Sequence, residues 1–346
     1  MSNSITLASK YRPHTFEDIV EQDSIKTILK NQIKSNDLKH AYLFCGSAGT
    51  GKTTSARIIA DLMNEGKSTP IELDCASHNG VDDVRAIIDE CKTKPMMGKY
   101  KIFILDECHQ FSTSAWNALL KILEEPPEYV IFLFCTTDPQ KILGTILSRV
   151  QRFNFSRISI AGITARLKYI IENENNERAV AGIEPIVYED SAIDYIARLS
   201  QGGMRDSITT LEKCLDYSTT INLMNVINVT SGGVTEDVLL EMLSNILNNK
   251  CSEALLLFEK IYMSGVDVSL FLKLWTEYLQ NCVKFMITQT AEITTLSTLT
   301  VDWLKTIMTF TPQVRELLRS VLSIKTNFSA DDLKIIIESW IIEKCN

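Results

Sequence analysis

A chain of 346 residues is longer than one hydrophobic core usually serves and points to two or three domains, and its 45% hydrophobic and 23% charged residues exclude a fibrous or disordered class. Its net charge of −8 excludes general basicity as a route to nucleic acid, so any DNA contact has to be a local patch, effective where several copies line a channel. There is no apolar run long enough to cross a bilayer and the opening from Met1 to Pro13 lacks the apolar stretch of a signal peptide, so the expectation is a cytoplasmic protein without a membrane partner.

The first half alternates short apolar runs with amphipathic stretches. Ala41 to Cys45, Ile71 to Asp74, Lys101 to Leu105 and Val130 to Cys135 read as strands, and Thr53 to Met63, Val81 to Lys92 and Ser114 to Leu123 as helices, the last stopped by Pro126 and Pro127. That alternation predicts an α/β P-loop domain with a parallel sheet over residues 1–157. Beyond about Arg157 the strand signals stop, and Ser191 to Leu199 and Met204 to Tyr217 carry helical spacing, which predicts a small helical lid over 158–232. Ser231, Gly232 and Gly233 break the pattern, and an all-α bundle is expected over 233–346. Its apolar positions, Leu239, Met242, Leu243, Ile246 and Leu247 among them, suit packing within the chain or against other subunits, and the pattern alone does not choose. The nine cysteines include no CxxC pair, and Cys75 and Cys91, nearest in sequence, are 16 residues apart, so no zinc is expected and the thiols read as small buried hydrophobes.

The strongest chemical signal is Gly46-Ser47-Ala48-Gly49-Thr50-Gly51-Lys52-Thr53, a full GxxxxGK[ST] between a predicted strand and a predicted helix. Its glycines let backbone N–H groups turn toward phosphate oxygens, with Thr54 continuing the helix N-terminus behind them. Lys52 then reaches the β and γ phosphates of ATP, and Thr53 ligates Mg2+. About fifty residues on, the strand Lys101 to Leu105 runs into Asp106 and Glu107. An isolated Asp-Glu pair equally opens a solvent loop; after a P-loop it reads as a Walker B segment, with Asp106 holding magnesium directly or through water and Glu107 as the general base. The next strand ends in Thr136-Thr137-Asp138-Pro139, small hydroxyls at the sheet edge where α/β folds bind ligands, although this string is also an ordinary strand-to-turn sequence.

Taken together, Tyr11-Arg12-Pro13, Phe16 to Val20, the P-loop, Asp106-Glu107-Cys108-His109, Asn117 to Pro127, Thr136 to Lys141 and Ser148-Arg149 resemble the gamma/tau family of bacterial polymerase III clamp-loader subunits, which are AAA+ ATPases, and more distantly the small subunits of replication factor C. The resemblance covers roughly the first 215 residues; past Gly233 only the helical character agrees. It implies a helical C-terminal collar and assembly into a ring or spiral, pentameric, of one or more subunit types. It further implies that ATP binding opens a sliding clamp, that primer-template DNA is held by backbone contacts, and that hydrolysis releases the closed clamp on DNA. By the same resemblance Thr137 senses the γ phosphate, Arg205 in Gly202-Gly203-Met204-Arg205-Asp206 contacts it from the lid, and Arg149 is an arginine finger acting in trans. Tyr11, Arg12, Pro13, Ile19 and Val20 would wall the adenine pocket, or else belong to an arm that merely packs. Met96 and Met97 approach the clamp or fill core. Arg85, Lys92, Lys94, Lys99 and Lys101 are DNA contacts or ordinary surface charges. The string containing His109 is too short to assign, and His14, His40 and His78 have no ligand-like companions.

The sequence departs from the family in four places. Met63 to Pro70 replaces a four-cysteine zinc module, Val150 follows Ser148-Arg149 where cysteine is usual, Glu21 stands where glycine is usual, and the chain ends at Asn346 without a long extension. Glu21 leads to the expectation of an altered backbone beside the adenine pocket. The compact length suggests a short form from a bacteriophage or a divergent bacterium. Two rival readings are a loader subunit that binds partners without turnover, which the intact Lys52, Thr53, Asp106 and Glu107 oppose, and a different AAA+ motor such as a branch-migration helicase or helicase loader.

Overall fold

A computed structural model describes residues 5–231, 234–324 and 330–345; the opening Met1 to Ser4 and the expected break and boundary at Gly232 and Gly233 lie outside the described residues. Elements follow in the order α1 (Leu7–Lys10), α2 (Asp23–Ser35), β1 (Ala41–Cys45), α3 (Lys52–Met63), β2 (Ile71–Asp74), α4 (Val81–Cys91), β3 (Lys101–Asp106), α5 (Thr113–Glu124), β4 (Val130–Thr136), α6 (Gly144–Leu147), β5 (Gln151–Asn154) and α7 (Ile160–Ala181). All four expected strands form, and β3 and β4 each run one residue further than their apolar patterns, which brings Asp106 and Thr136 into the sheet. The fifth strand escapes periodicity because Gln151, Arg152 and Asn154 are polar and only Phe153 turns inward; among the described residues β5 pairs on one side alone, with β1.

The five strands are parallel in the order β2-β3-β4-β1-β5. Residues of β1 and β4 are buried throughout, as expected of strands covered on both faces, which is why their sequences are continuous apolar runs. Alternation along β1 sends Leu43 to one face, where Phe103, Phe132 and Phe134 meet Trp116 of α5, and Tyr42 and Phe44 to the other, where Ile58 and Ile59 of α3 cover the sheet. Since β4 lies between β1 and β3, the carboxyl ends of these three strands stand side by side, and the chain reverses its order of addition there, the place where open α/β sheets hold ligands.

The described residues group into two compact units, one up to Ile183 together with Ile196–Glu212, the other Glu184–Tyr195 with the chain from Lys213 onward. Helices α8 (Asp190–Leu199) and α9 (Met204–Tyr217) contribute to both. In the second unit β6 (Val187–Tyr188) and β7 (Thr220–Ile221) form a parallel pair too short to show a period, and the remainder is helical: α10 (Leu223–Ser231), α11 (Glu236–Leu247), α12 (Cys251–Met263), α13 (Val268–Thr288), α14 (Thr298–Thr306), α15 (Thr311–Leu322) and α16 (Ala330–Lys344). Phe271, Trp275, Leu279 and Cys282 recur at helical spacing on α13 and are buried against Leu239 and Leu243 of α11, Phe258 of α12 and Ile337 of α16. The apolar face that the sequence left open on α11 therefore packs within the chain.

No cysteine is bridged; eight are buried and Cys251 is half-buried. Burial pushes the thiols up, Cys91 to about 12 and Cys214 to about 11, which starves them of the thiolate that reacts. Alkylation of the native protein with iodoacetamide is therefore expected at Cys251 alone, and at all nine after unfolding. Peptide mass spectrometry finding native labelling of Cys108 or Cys135 would contradict this.

Candidate functional site

Strand β1 hands the chain to the P-loop at Gly46, whose N–H donates to Thr136 O (3.2 Å) while Phe155 N donates to Cys45 O (2.7 Å), so the loop leaves from a point fixed on both sides. Gly49, at φ +71°, lets the loop crest approach the start of α9: Met204 N donates to Gly49 O at 3.0 Å, and a Cβ on Gly49 would lie 3.1 Å from Gly203 Cα. Helix α3 begins at Lys52 with its N-terminus toward the loop. The Lys52 side chain is buried and its Nζ donates to Gly46 O (2.9 Å) and Ser47 O (2.8 Å). Burial lowers its pKa, against the opposing pull of Glu107 and Asp106.

At the end of β3, Asp106 Oδ2 accepts from Thr53 Oγ1 at 2.8 Å and Oδ1 accepts from the N–H of Glu107 at 3.0 Å. A hydroxyl and a carboxylate in contact beside a phosphate loop are the hard oxygen donors that Mg2+ accepts, and it draws its remaining ligands from phosphate and water. Glu107 itself sits at φ +47°, a left-handed conformation uncommon outside glycine, which turns its side chain across to the end of β4. There its Oε2 accepts from Thr137 Oγ1 (2.8 Å) and Thr137 N (3.3 Å) and lies 3.2 Å from His109 Nδ1.

A cavity of ≈ 430 Å³ opens over the loop, all within the first unit. Its floor is Gly49, Thr50, Gly51, Lys52, Thr53, Thr54 and Asp106; one wall carries Tyr11, Arg12, Pro13, Ile19 and Val20, and another Met204, Arg205 and Ile208. Gly46, Ser47 and Ala48 are not among its lining, nor are Glu107 and Thr137, which stand beyond Asp106; Phe16 is buried in the core. Among the further lining residues that carried no sequence signal are Arg57, which grips Glu72 through two bonds of 2.8 and 2.6 Å, Arg166, which donates to Tyr11 O at 3.1 Å, and Ile158. Ile208 was findable, one turn after Met204 on the same helix face.

Glu21 adopts a left-handed conformation (φ +56°), one that glycine takes without steric cost and other residues rarely do. Its carboxylate accepts from Ser159 N at 3.2 Å, and the Gln22 amide donates to Ser156 O at 2.8 Å, clasping the segment that leads into α7. Arg149 stands apart from the cavity, with Nη2 on Glu124 Oε1 at 2.5 Å and Nη1 on Thr145 O at 2.6 Å. Met96 is fully exposed and Met97 largely so, which removes the core-filling reading. Of the basic candidates, Lys101 is mostly buried and paired with Glu90, and is no free phosphate contact; Arg85 pairs with Asp82 and Lys92 with Asp89 at exposed positions, where such pairs add little.

A family profile described as DNA polymerase III, delta subunit, matches residues 71–159. The chain is 35% identical to the DNA polymerase III subunit tau of Bacillus subtilis over 74% of its own length and 48% of that protein's. It is 32% identical to the subunit gamma of Buchnera aphidicola over 79% of its length and 76% of that protein's, and 36% identical to the subunit tau of Escherichia coli over 60% and 34%. It thus spans about half or less of the two tau relatives. These relatives are bacterial and lend no support to a phage origin. The Thermotoga maritima RuvB Holliday junction branch migration motor superposes with a TM-score of 0.51 at 19% identity, covering 68% of this chain and 79% of that one, a likeness of fold alone.

Proposed function

Because the chain belongs to the gamma/tau family of bacterial DNA polymerase III subunits, we propose that it is an ATP-hydrolysing AAA+ subunit of a sliding-clamp loader, acting in the bacterial cytoplasm and built as an ATPase domain (1–157), a lid (158–232) and a collar (233–346). The observation that carries this reading is the Thr53 to Asp106 contact of 2.8 Å beside the cavity, with Glu107 fastened to Thr137 one residue further on. ATP would lie with its base against Tyr11, Pro13, Ile19 and Val20 and its phosphates on the N–H groups of Gly49 to Thr54. Lys52 would then exchange its loop carbonyls for β and γ phosphate oxygens. Thr53 and Asp106 would hold Mg2+, which when bound neutralises charge on the β and γ phosphates. Glu107 takes the proton of the attacking water as the new bond to the γ phosphorus forms and the bond to the β–γ bridging oxygen breaks.

Arg205 would reach the γ phosphate from the lid, and Thr137 would sense it beside Glu107. Arg149 of one subunit would leave Glu124 to stabilise the transition state in its neighbour. In the ATP state a pentamer of like or unlike subunits binds and opens the clamp and follows primer-template DNA by phosphate contacts; hydrolysis loosens the assembly.

The test is steady-state ATPase activity of the purified chain, alone and with the bacterial clamp and primed DNA, for wild type and Arg149→Ala. Clamp and DNA together are expected to stimulate turnover. Arg149→Ala should keep ATP binding and lose the stimulation, by about three to five orders of magnitude if the finger carries what such arginines usually carry. Turnover that ignores the clamp and survives the substitution would replace the loader reading with another AAA+ activity.

A further inference from the structure

His109 is not used by the reading above, yet its side chain is only 8% exposed and lies against the proposed base. It sits in a single 3-10 turn, Cys108–Gln110, pinned below by the buried Cys108 and closed by Gln110 N donating to Glu107 O at 2.9 Å. Both ring nitrogens are engaged. The side-chain amide nitrogen of Gln110 lies 3.1 Å from Nε2, and an amide nitrogen only donates, so Nε2 accepts and the neutral ring carries its proton on Nδ1. That N–H donates to Thr136 Oγ1 at 3.1 Å, and Glu107 Oε2 lies beside the same nitrogen at 3.2 Å. The Thr136 hydroxyl oxygen, which also accepts from Asp138 N at 3.0 Å, thus ties the ring to the end of β4 with its Nδ1 edge against the charged Glu107 carboxylate.

We propose that His109 is a positioning residue for Glu107: its ring, tied to Thr136 and set 3.2 Å from Oε2, holds the plane of the carboxylate so that Oε1 stays open to the attacking water. This rests on Glu107 being the base. Thr137 supplies two donors to Oε2, but both come from one residue and hold one oxygen, about which the carboxylate still turns. The imidazole comes from a different element and stops that rotation, while Oε1 accepts no hydrogen bond among the described residues. A side chain at left-handed φ lacks the orientation a strand would impose, which makes such an outside anchor necessary.

The test compares the full-length wild type with His109→Ala, His109→Asn, His109→Gln and Glu107→Gln, measuring ATP Kd, kcat and the ring tautomer. Asn places an amide N–H near the Nδ1 position, whereas Gln places one near Nε2. His109→Ala and His109→Gln are expected to lose about ten- to a hundredfold in kcat with Kd within about twofold, and His109→Asn to recover most of the loss. Nitrogen-15 NMR of the wild-type ring, assigned by its disappearance in His109→Asn, should show the proton on Nδ1. Wild-type kcat in His109→Ala, equal loss in the Asn and Ala variants, or a proton on Nε2 would overturn the inference. A Glu107→Gln protein that turns over at the wild-type rate would overturn the base assignment and this inference with it; an inactive Glu107→Gln beside a fully active His109→Ala would overturn this inference alone.

Discussion

Glu107→Gln is expected to bind ATP as wild type does and to hydrolyse it about 10²- to 10⁴-fold more slowly, the range that a positioned general base contributes. The exchange is nearly isosteric, and the amide carbonyl takes over the place of Oε2, keeping the Thr137 hydroxyl at 2.8 Å and the His109 ring satisfied. The amide nitrogen then faces the water from the position of Oε1 and has no lone pair with which to take a proton. Binding survives because the phosphate contacts belong to the P-loop backbone and Lys52, which the substitution does not touch. Removing the Glu107 charge takes away one of the influences that hold Lys52 protonated, and the triphosphate more than replaces it. Fluorescent-nucleotide titration paired with single-turnover phosphate release checks both halves. Equal turnover in the two proteins removes Glu107 as the base; loss of binding assigns it to the ligand shell.

The legible part of this site is the part that backbone geometry demands of sequence. A phosphate loop needs glycines at fixed spacing ahead of Lys52, and a buried central strand needs an unbroken apolar run, so β1, β3, β4 and the Walker residues can be read directly. What was not legible depends on tertiary neighbours. The order in which β4 inserts between β1 and β3 is invisible in the chain, yet it alone brings Thr137 to Glu107 and Thr136 to His109. The clasp of Glu21 on Ser159 spans 138 positions, and the hold of Arg166 on Tyr11 spans 155, distances at which no periodicity speaks. The edge strand β5 was lost for the opposite reason: one covered face and polar residues leave too weak a pattern in four positions. Lys101 was offered as a surface charge because lysine usually is one; pairing with Glu90 at the start of β3 overrode that habit.

Gly46→Ala should lower the stability of the first unit by about 3 kcal/mol, from overpacking together with an unfavourable positive φ. At φ +153° a Cβ would sit 2.6 Å from Phe155 O and 2.9 Å from Phe155 Cβ. Neither neighbour has room to retreat. The Phe155 N–H is bonded to Cys45 O at 2.7 Å, and its ring lies edge-on to Phe44, 5.6 Å between centroids, in the core beneath the sheet. Relief therefore has to come from the loop, and moving Gly46 stretches both its bond to Thr136 O and the Lys52 contact to Gly46 O at 2.9 Å, so ATP affinity falls along with stability. Gly144→Ala is the matched control: it opens α6, an added Cβ meets nothing within 4 Å, and the loss of unfolded-state freedom should leave stability unchanged or raised by about 0.5 kcal/mol. Hydrogen exchange of the β1 and β4 amides under increasing urea reads the unit concerned without interference from the helical one. If both substitutions shift protection equally, the generic Gly-to-Ala entropy change is the whole effect and the tight seat of Gly46 on Phe155 has no energetic weight; if only Gly46→Ala collapses protection, the P-loop's starting point is held by packing against Phe155, the residue that follows β5.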